Sequence, residues 1–395
     1  MLRASLGVSI GWIGISMVAD GVPALLLPHR LLAEGRTDAT TLGLITLLAI
    51  GVAALLQPAA GRWSDRIGRF PVIAAGSALA IAGLALLFAP GAAVAGAVLA
   101  LAGVSVAQAG QQALLPDRIG ASWRGRAGGL KGAFDVAGAF AGFLVIGFLL
   151  AGGDAVRAAL VLAIALVVGF GLSRAMLPGP PEAQPPLSRP GARHRSRDGE
   201  LLRLVLARFL FLVGIYAVGR FLLLFIAERF ELGADAAGGE AGTALALLAL
   251  VTVAASVPAG WLSDRIGRRP LMVAGGVIGA AGIGLLAVAS SLEAVLAFGA
   301  LMAVGTAAFG SASWAMLADV TDSAQTGRLM GLANLGTAGA AAMAGAFGIL
   351  IDAGGFGPAF VVAAACTLAG GSLALSLGGS ARPADVLVGS VEGAH

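Results

Sequence analysis

Long apolar runs alternate with short charged or proline-rich breaks along the whole chain. The runs fall near residues 5–28, 41–61, 72–90, 93–115, 128–150 and 155–177, then near 205–227, 241–260, 271–290, 293–316, 330–352 and 357–378. Each approaches the roughly 20 residues that a helix needs to cross a bilayer. The first is too long for the core of a secretion signal and no small-residue cleavage pattern follows it, so it is expected to persist as helix 1. Residues 178–200 hold Pro178, Pro180, Pro181, Pro185, Pro186 and Pro190, then Arg193, Arg195 and Arg197, which is linker composition. The pattern therefore predicts an all-α integral membrane protein of twelve spans. Six lie in residues 1–177 and six in 201–380, joined by the 178–200 linker and followed by an unstructured tail, 381–395.

One charged break occurs twice. Gly61-Arg62-Trp63-Ser64-Asp65-Arg66-Ile67-Gly68-Arg69-Phe70-Pro71 returns as Gly260-Trp261-Leu262-Ser263-Asp264-Arg265-Ile266-Gly267-Arg268-Arg269-Pro270, identical at eight of eleven positions and 199 residues later. A second pair, Leu115-Pro116-Asp117 before Arg124-Gly125-Arg126 and Leu317-Ala318-Asp319 before Thr326-Gly327-Arg328, repeats 202 residues apart. Repeats of such length mean two homologous halves.

Composition fits the bilayer. Hydrophobic residues make up 58% and charged residues 12%, against about 25% charged in soluble domains. The net charge of +4 invites a nucleic-acid partner until the basic residues are placed. With the amino terminus inside, twenty of the 25 Lys and Arg fall in cytoplasmic segments, four fall outside (Arg30, Arg36, Arg157, Arg229), and Arg220 lies within a span. That is the positive-inside asymmetry, so the basicity reports topology: both termini cytoplasmic, in the inner membrane, with no nucleic-acid partner. The single cysteine, Cys366, excludes an internal disulfide and a cysteine-based metal site.

Twelve spans in a 6+6 arrangement, a long central cytoplasmic loop, and Gly-x-x-x-Asp-Arg-x-Gly-Arg-x-Pro in both halves resemble the major facilitator superfamily. The resemblance implies two pseudo-symmetric six-helix bundles that rock around a central cavity, with a solute site near the midplane. It also implies a cytoplasmic gate built from Gly61, Asp65, Arg66, Arg69, Gly260, Asp264, Arg265 and Arg268.

The residues of that motif carry their own reading. Gly61 and Gly260 would end a span where backbones approach closely; Gly68 and Gly267 would permit a tight turn. Pro71 and Pro270 suit the first turn of the next helix. Asp65 and Asp264 can pair with neighbouring arginines, and Asp117 and Asp319 are read as partners of those arginines across the bundle.

Charges inside spans usually face a cavity. Asp20 lies in helix 1 and Arg220 in helix 7; desolvation would penalise the charged carboxylate, so Asp20 is the first candidate for proton coupling and Asp135 the second. Arg220 could clamp Asp20 or attract an anionic group of the solute. Lys131 is expected to snorkel to the cytoplasmic surface. Gln108, Gln111 and Gln112 in helix 4, Ser311, Ser313 and Trp314 in helix 10, and Asn334 and Thr337 in helix 11 are candidate cavity linings, although polar residues also hold membrane helices together.

Branch signatures are incomplete. Gly129, Gly138 and Gly142 match part of a helix-5 pattern of drug–proton antiporters, but Phe143 stands where that pattern has proline, and Val104 and Ser105 occupy the region where that branch carries an arginine. Pro181-Glu182-Ala183 does not supply the sugar-porter signature. A sugar needs many hydrogen-bonding partners, and spans rich in Ala, Gly, Leu and Val suit an amphipathic or lipophilic solute better. Proton-coupled export of such a solute is therefore expected, with proton-coupled uptake of a sugar or other metabolite as the alternative. His29, His194 and His395 share no motif, which argues against a membrane enzyme, and no Gly-x4-Gly-Lys loop signals ATP. No cofactor and no metal are expected, the aspartates are sparse for a sodium cage, and the chain is expected to work as a monomer.

Overall fold

A computed structural model describes residues 2–120, 123–177, 179, 195–320 and 336–377, with side chains for all of these except 124, 125, 195–198 and 318–320. Most of the expected linker, the tail, Asn334, His194, His395 and the Asp319 side chain lie outside the described set.

Among the described residues twelve helices are long and apolar enough to cross a membrane. They are α1 (Leu2–Ala33), α2 (Ala39–Ile67), α3 (Arg69–Leu86), α4 (Ala93–Arg118), α5 (Arg124–Ala151), α6 (Ala155–Met176), α7 (Arg195–Arg229), α8 (Ala234–Ile266), α9 (Arg268–Leu286), α10 (Leu292–Val320), α11 (Gly336–Gly354) and α12 (Phe356–Ser376). Several outrun the apolar stretches that announced them. The charged motif is mostly helical: α2 and α8 continue through Asp65 and Asp264, and the chain turns only at Gly68 (φ +97°) and Gly267 (φ +95°). Both glycines sit in the left-handed region where a β-carbon is strained, so the repeated motif builds the same tight corner twice.

Small residues set the packing inside each half. Gly76 and Gly83 of α3 press on the backbone of α4 at Ala107 and Ala100. Their counterparts 199 residues on, Gly275 and Gly282 of α9, press on α10 at Phe309 and Met302. Without a hydrophobic drive between helices in lipid, such close approach is a main source of helix association. Phe211 of α7 stacks on Phe309 of α10 with ring centroids 3.9 Å apart. On the outside, Leu55, Phe148, Ile164 and Val257 are exposed, a surface that suits acyl chains and would be a liability in water.

The two halves meet along α2–α11 and α5–α8. Among the described residues their close contacts lie at the ends remote from the charged motifs, here called the far side. Gly43 packs on Gly345, and Gly147 on Gly242. α11 tightens to a 3₁₀ turn at Ala344–Ala346, where α2 crosses it.

Candidate functional site

A cavity of about 390 Å³ lies between the halves. α1 lines it with Asp20 and Pro23, α2 with Gln57, α4 with Ser105 and Gln108, and α7 with Tyr216 and Arg220; Ile50, Leu101, Phe143 and Leu245 make much of the remaining wall. Near Asp20 the α1 helix widens into a π turn, Val22–Leu26. Pro23 has no amide to bond the carbonyl of Ala19 four residues back, and such turns recur at functional sites. The Gln57 amide donates to Gln108 Oε1 at 3.3 Å, and Ser105 donates to the Ala53 carbonyl at 2.7 Å, tying α2 to α4.

Asp20 and Arg220 come from opposite halves and interact electrostatically across the cavity. Among the described residues neither belongs to an ion pair within 4 Å. Arg220 is 6% exposed, and among the described residues its Nε has no hydrogen-bond partner.

A polar chain leads from Asp20 towards the motif side. Ser16, one turn earlier on α1, donates to Asp135 Oδ1 on α5, and Lys131 Nζ binds Asp135 Oδ2 at 2.8 Å. Lys131 also lies 3.6 Å from the Trp12 ring centroid. The expected snorkelling of Lys131 is therefore replaced by an inward fold: an i,i+4 carboxylate and an aromatic face hold the ammonium against α1.

The motif residues are tied within their own halves. Arg69 is the node of the first, binding Asp117 Oδ2 through Nε at 2.6 Å, Ser64 Oγ at 2.6 Å, and Asp65. In the second, Arg265 lies 3.6 Å over the Trp261 ring and Arg268 donates to the Ala315 carbonyl at 2.6 Å; Arg66 and Asp264 are exposed. Among the described residues nothing lies within 4 Å of a β-carbon placed on Gly61 or Gly260, contrary to the expectation of close approach, and no close contact between the halves is found there. On the far side His29 Nε2 is 2.8 Å from Asp235 Oδ1, and Asp352 accepts from the amides of Ala39 (2.9 Å) and Thr40 (2.7 Å). Those bonds all cross between the halves. The far side is shut.

The family model of the Major Facilitator Superfamily matches residues 10–239 and 204–393. The chain belongs to this superfamily. An 80-residue stretch, 20% of the chain, is 38% identical to the inner membrane transport protein YajR of Escherichia coli (strain K12) and spans 17% of that relative's length. The crystal structure of a bacterial homologue of the iron transporter ferroportin in an inward-facing state superposes with a TM-score of 0.69 at 18% identity, covering 95% of this chain and 99% of that one. At that identity the likeness concerns the fold. The superfamily is one of membrane transporters, and the 6+6 architecture expected from the repeat is the one observed.

In this superfamily protein the polar residues singled out from the sequence divide sharply. Asp20, Gln108 and Arg220 line the cavity. Gln111 does not: it is buried between α1, α4 and α6, donating to the Val8 carbonyl at 2.7 Å and Ser173 Oγ at 3.4 Å. Gln112 is exposed and outside the lining. Ser311 ties α10 to the Ser256 carbonyl of α8 at 3.2 Å. Trp314 lies under the Arg208 guanidinium at 4.2 Å, and Arg208 also donates to Ser313. Gln57, Tyr216 and Arg208 escaped the sequence reading. Gln57 interrupts an apolar run and Tyr216 is the chain's one tyrosine, so both carried a signal. Arg208 falls inside the 205–227 run, yet the charge count groups it with the cytoplasmic residues; α7 begins at Arg195 and buries Arg208 well within the helix. Among the described residues no cluster of three or more His, Cys, Asp or Glu forms a metal site.

Proposed function

We propose that this protein is a proton-coupled secondary transporter that moves a small amphipathic solute by alternating access. The reading places it in the cytoplasmic membrane with both termini and the repeated motif facing the cytoplasm, so the described conformation opens inward. One observation carries it: Asp20 and Arg220 face a common cavity from opposite halves without closing into an ion pair. A carboxyl in that position can take and release a proton as the halves rock, and the Ser16–Asp135–Lys131 chain offers groups for its passage towards the cytoplasm. The apolar remainder of the wall supports an amphipathic solute over a sugar.

Export in exchange for protons, the direction favoured by the apolar spans, requires solute and proton to compete for Asp20. Uptake together with protons is the second reading, and Arg220 favours it: a cation beside Asp20 disfavours a cationic competitor. The same guanidinium disfavours a metal cation such as iron, the cargo named in the description of the structural neighbour.

The test is proton movement in proteoliposomes loaded with a pH-sensitive dye, screened with amphipathic compounds and sugars. Solute-triggered proton flux in wild type, lost in Asp20→Asn, is expected. Solute flux of unchanged size and pH dependence in Asp20→Asn would remove Asp20 from the mechanism.

A further inference from the structure

The charges around the cavity specify more than proton coupling. The charged or titratable groups that act on Asp20 are Asp135 and Lys131 of α5 and Arg220 of α7, with Tyr216 of α7 also in its field. α2 and α4 contribute neutral Gln57, Ser105 and Gln108. Lys131 and Asp135 are bonded to each other at 2.8 Å and cancel. What remains is Asp20 against Arg220. With Asp20 ionised the pair is neutral overall; with Asp20 protonated the guanidinium has no counter-charge.

An unsatisfied guanidinium is costly to keep buried. Arg220 is 6% exposed, lines the cavity, and leaves Nε without a hydrogen-bond partner among the described residues. Its planar fork of donors matches two oxygens of one anionic group. A second buried cation lies on the same helix. Arg208 is 6% exposed, sits twelve residues before Arg220, is held by Ser313 and the Trp314 ring, and has no carboxylate partner among the described residues. Twelve residues is about 18 Å along a helix, so α7 carries positive charge from the cavity towards the motif end, a field that draws anions inward.

We propose that the solute is an amphipathic monoanion, a carboxylate, sulfonate or similar group on a small apolar body, that Arg220 binds its anionic group, and that Asp20 carries one proton with it. The inference rests on the second reading above, transport of the solute together with protons. In the loaded protein Arg220 is neutralised by the solute and Asp20 by the proton; in the empty protein the two neutralise each other. Each state has the same cavity charge, and the half-loaded states do not. One proton and one monoanion therefore cross together and no net charge moves. A pH gradient drives transport, whereas a membrane potential alone does not.

The experiment uses the full chain, purified for binding and reconstituted for flux, with probes of one ring size: naphthalenesulfonate, the neutral naphthalenesulfonamide and naphthylmethylammonium, extended by short alkanesulfonates and alkylcarboxylates. Sulfonates stay ionised and do not leak through lipid as neutral acids. The expected result is thermal stabilisation by anionic members, with the amide weaker by about tenfold to a hundredfold, the difference that a charge-assisted hydrogen-bond pair supplies. Arg220→Gln should remove that preference and Arg220→Lys retain part of it, with both variants checked for monodisperse elution. Sulfonate uptake should follow an imposed pH gradient and ignore a potassium-diffusion potential. Tighter binding of the ammonium probe, sulfonate binding unchanged in Arg220→Gln, or no binding by any anionic member would overturn the proposal. The wild-type comparison needs no variant to fold. Should cationic or neutral solutes instead drive an Asp20-dependent proton flux, the anion assignment falls while the proton-coupled reading stands; absence of any solute-driven proton flux sinks the proton-coupled reading itself.

Discussion

Gly43 of α2 and Gly345 of α11 lie backbone against backbone, so close that a β-carbon on either would run into the carbonyl of the other. Because one belongs to each half, this contact exists only while the far side is closed. Gly43→Val should therefore penalise the described conformation selectively. Overpacking costs about 1–3 kcal/mol, which shifts a two-state equilibrium several-fold to about a hundredfold towards far-side-open forms. The readout is labelling of Ala24→Cys, a cavity position, by an impermeant maleimide added from the far side in a Cys366→Ala background. No increase over the parent would show that the contact does not govern closure.

The motif side supplies the opposite case. Among the described residues Gly61 and Gly260 have no neighbour on their open face, and closing that side would bring the motif-bearing helix ends together. Gly61→Leu or Gly260→Leu should leave thermal stability in detergent nearly unchanged and abolish turnover. Full transport by both variants would mean that these glycines stay clear of the other half throughout the cycle.

Arg69 binds two carboxylates of unequal exposure, with side chains 25% exposed at Asp117 and 64% exposed at Asp65. Screening makes exposed pairs worth little, whereas leaving a half-buried partner unsatisfied costs about 1–3 kcal/mol. Arg69→Ala and Asp117→Asn should both lower the melting temperature measurably, and Asp65→Asn hardly at all. Equal losses at Asp65 and Asp117 would contradict this account.

Helix number and the two-fold repeat were legible because apolar runs of span length have few other uses and because the corner at Gly68 and Gly267 demands the same residues twice. Asp20 and Arg220 were legible as charges among apolar neighbours. The neighbours themselves were not. Helical spacing places Gln108 and Gln112 near one face, yet Gln108 meets the cavity while Gln112 is exposed and Gln111 fastens α4 to α1. Periodicity reports the faces of one helix, not what stands opposite. Lys131 illustrates the same limit: its inward fold depends on Trp12, a residue from another helix. Gln57 matters because Gln108 of α4 lies within reach, a pairing no single run displays.

The first amides of a helix have no partner within it. In α2 the Thr41 amide is satisfied by its own neighbour Asp38, but those of Ala39 and Thr40 borrow the carboxylate of Asp352 from the other half. When the far side opens, two amides and a carboxylate lose one another at once, and only water can replace them. Opening is thus a wetting event at that rim. Its rate should respond to whatever changes water activity outside the membrane, even where the solute and the proton gradient stay the same.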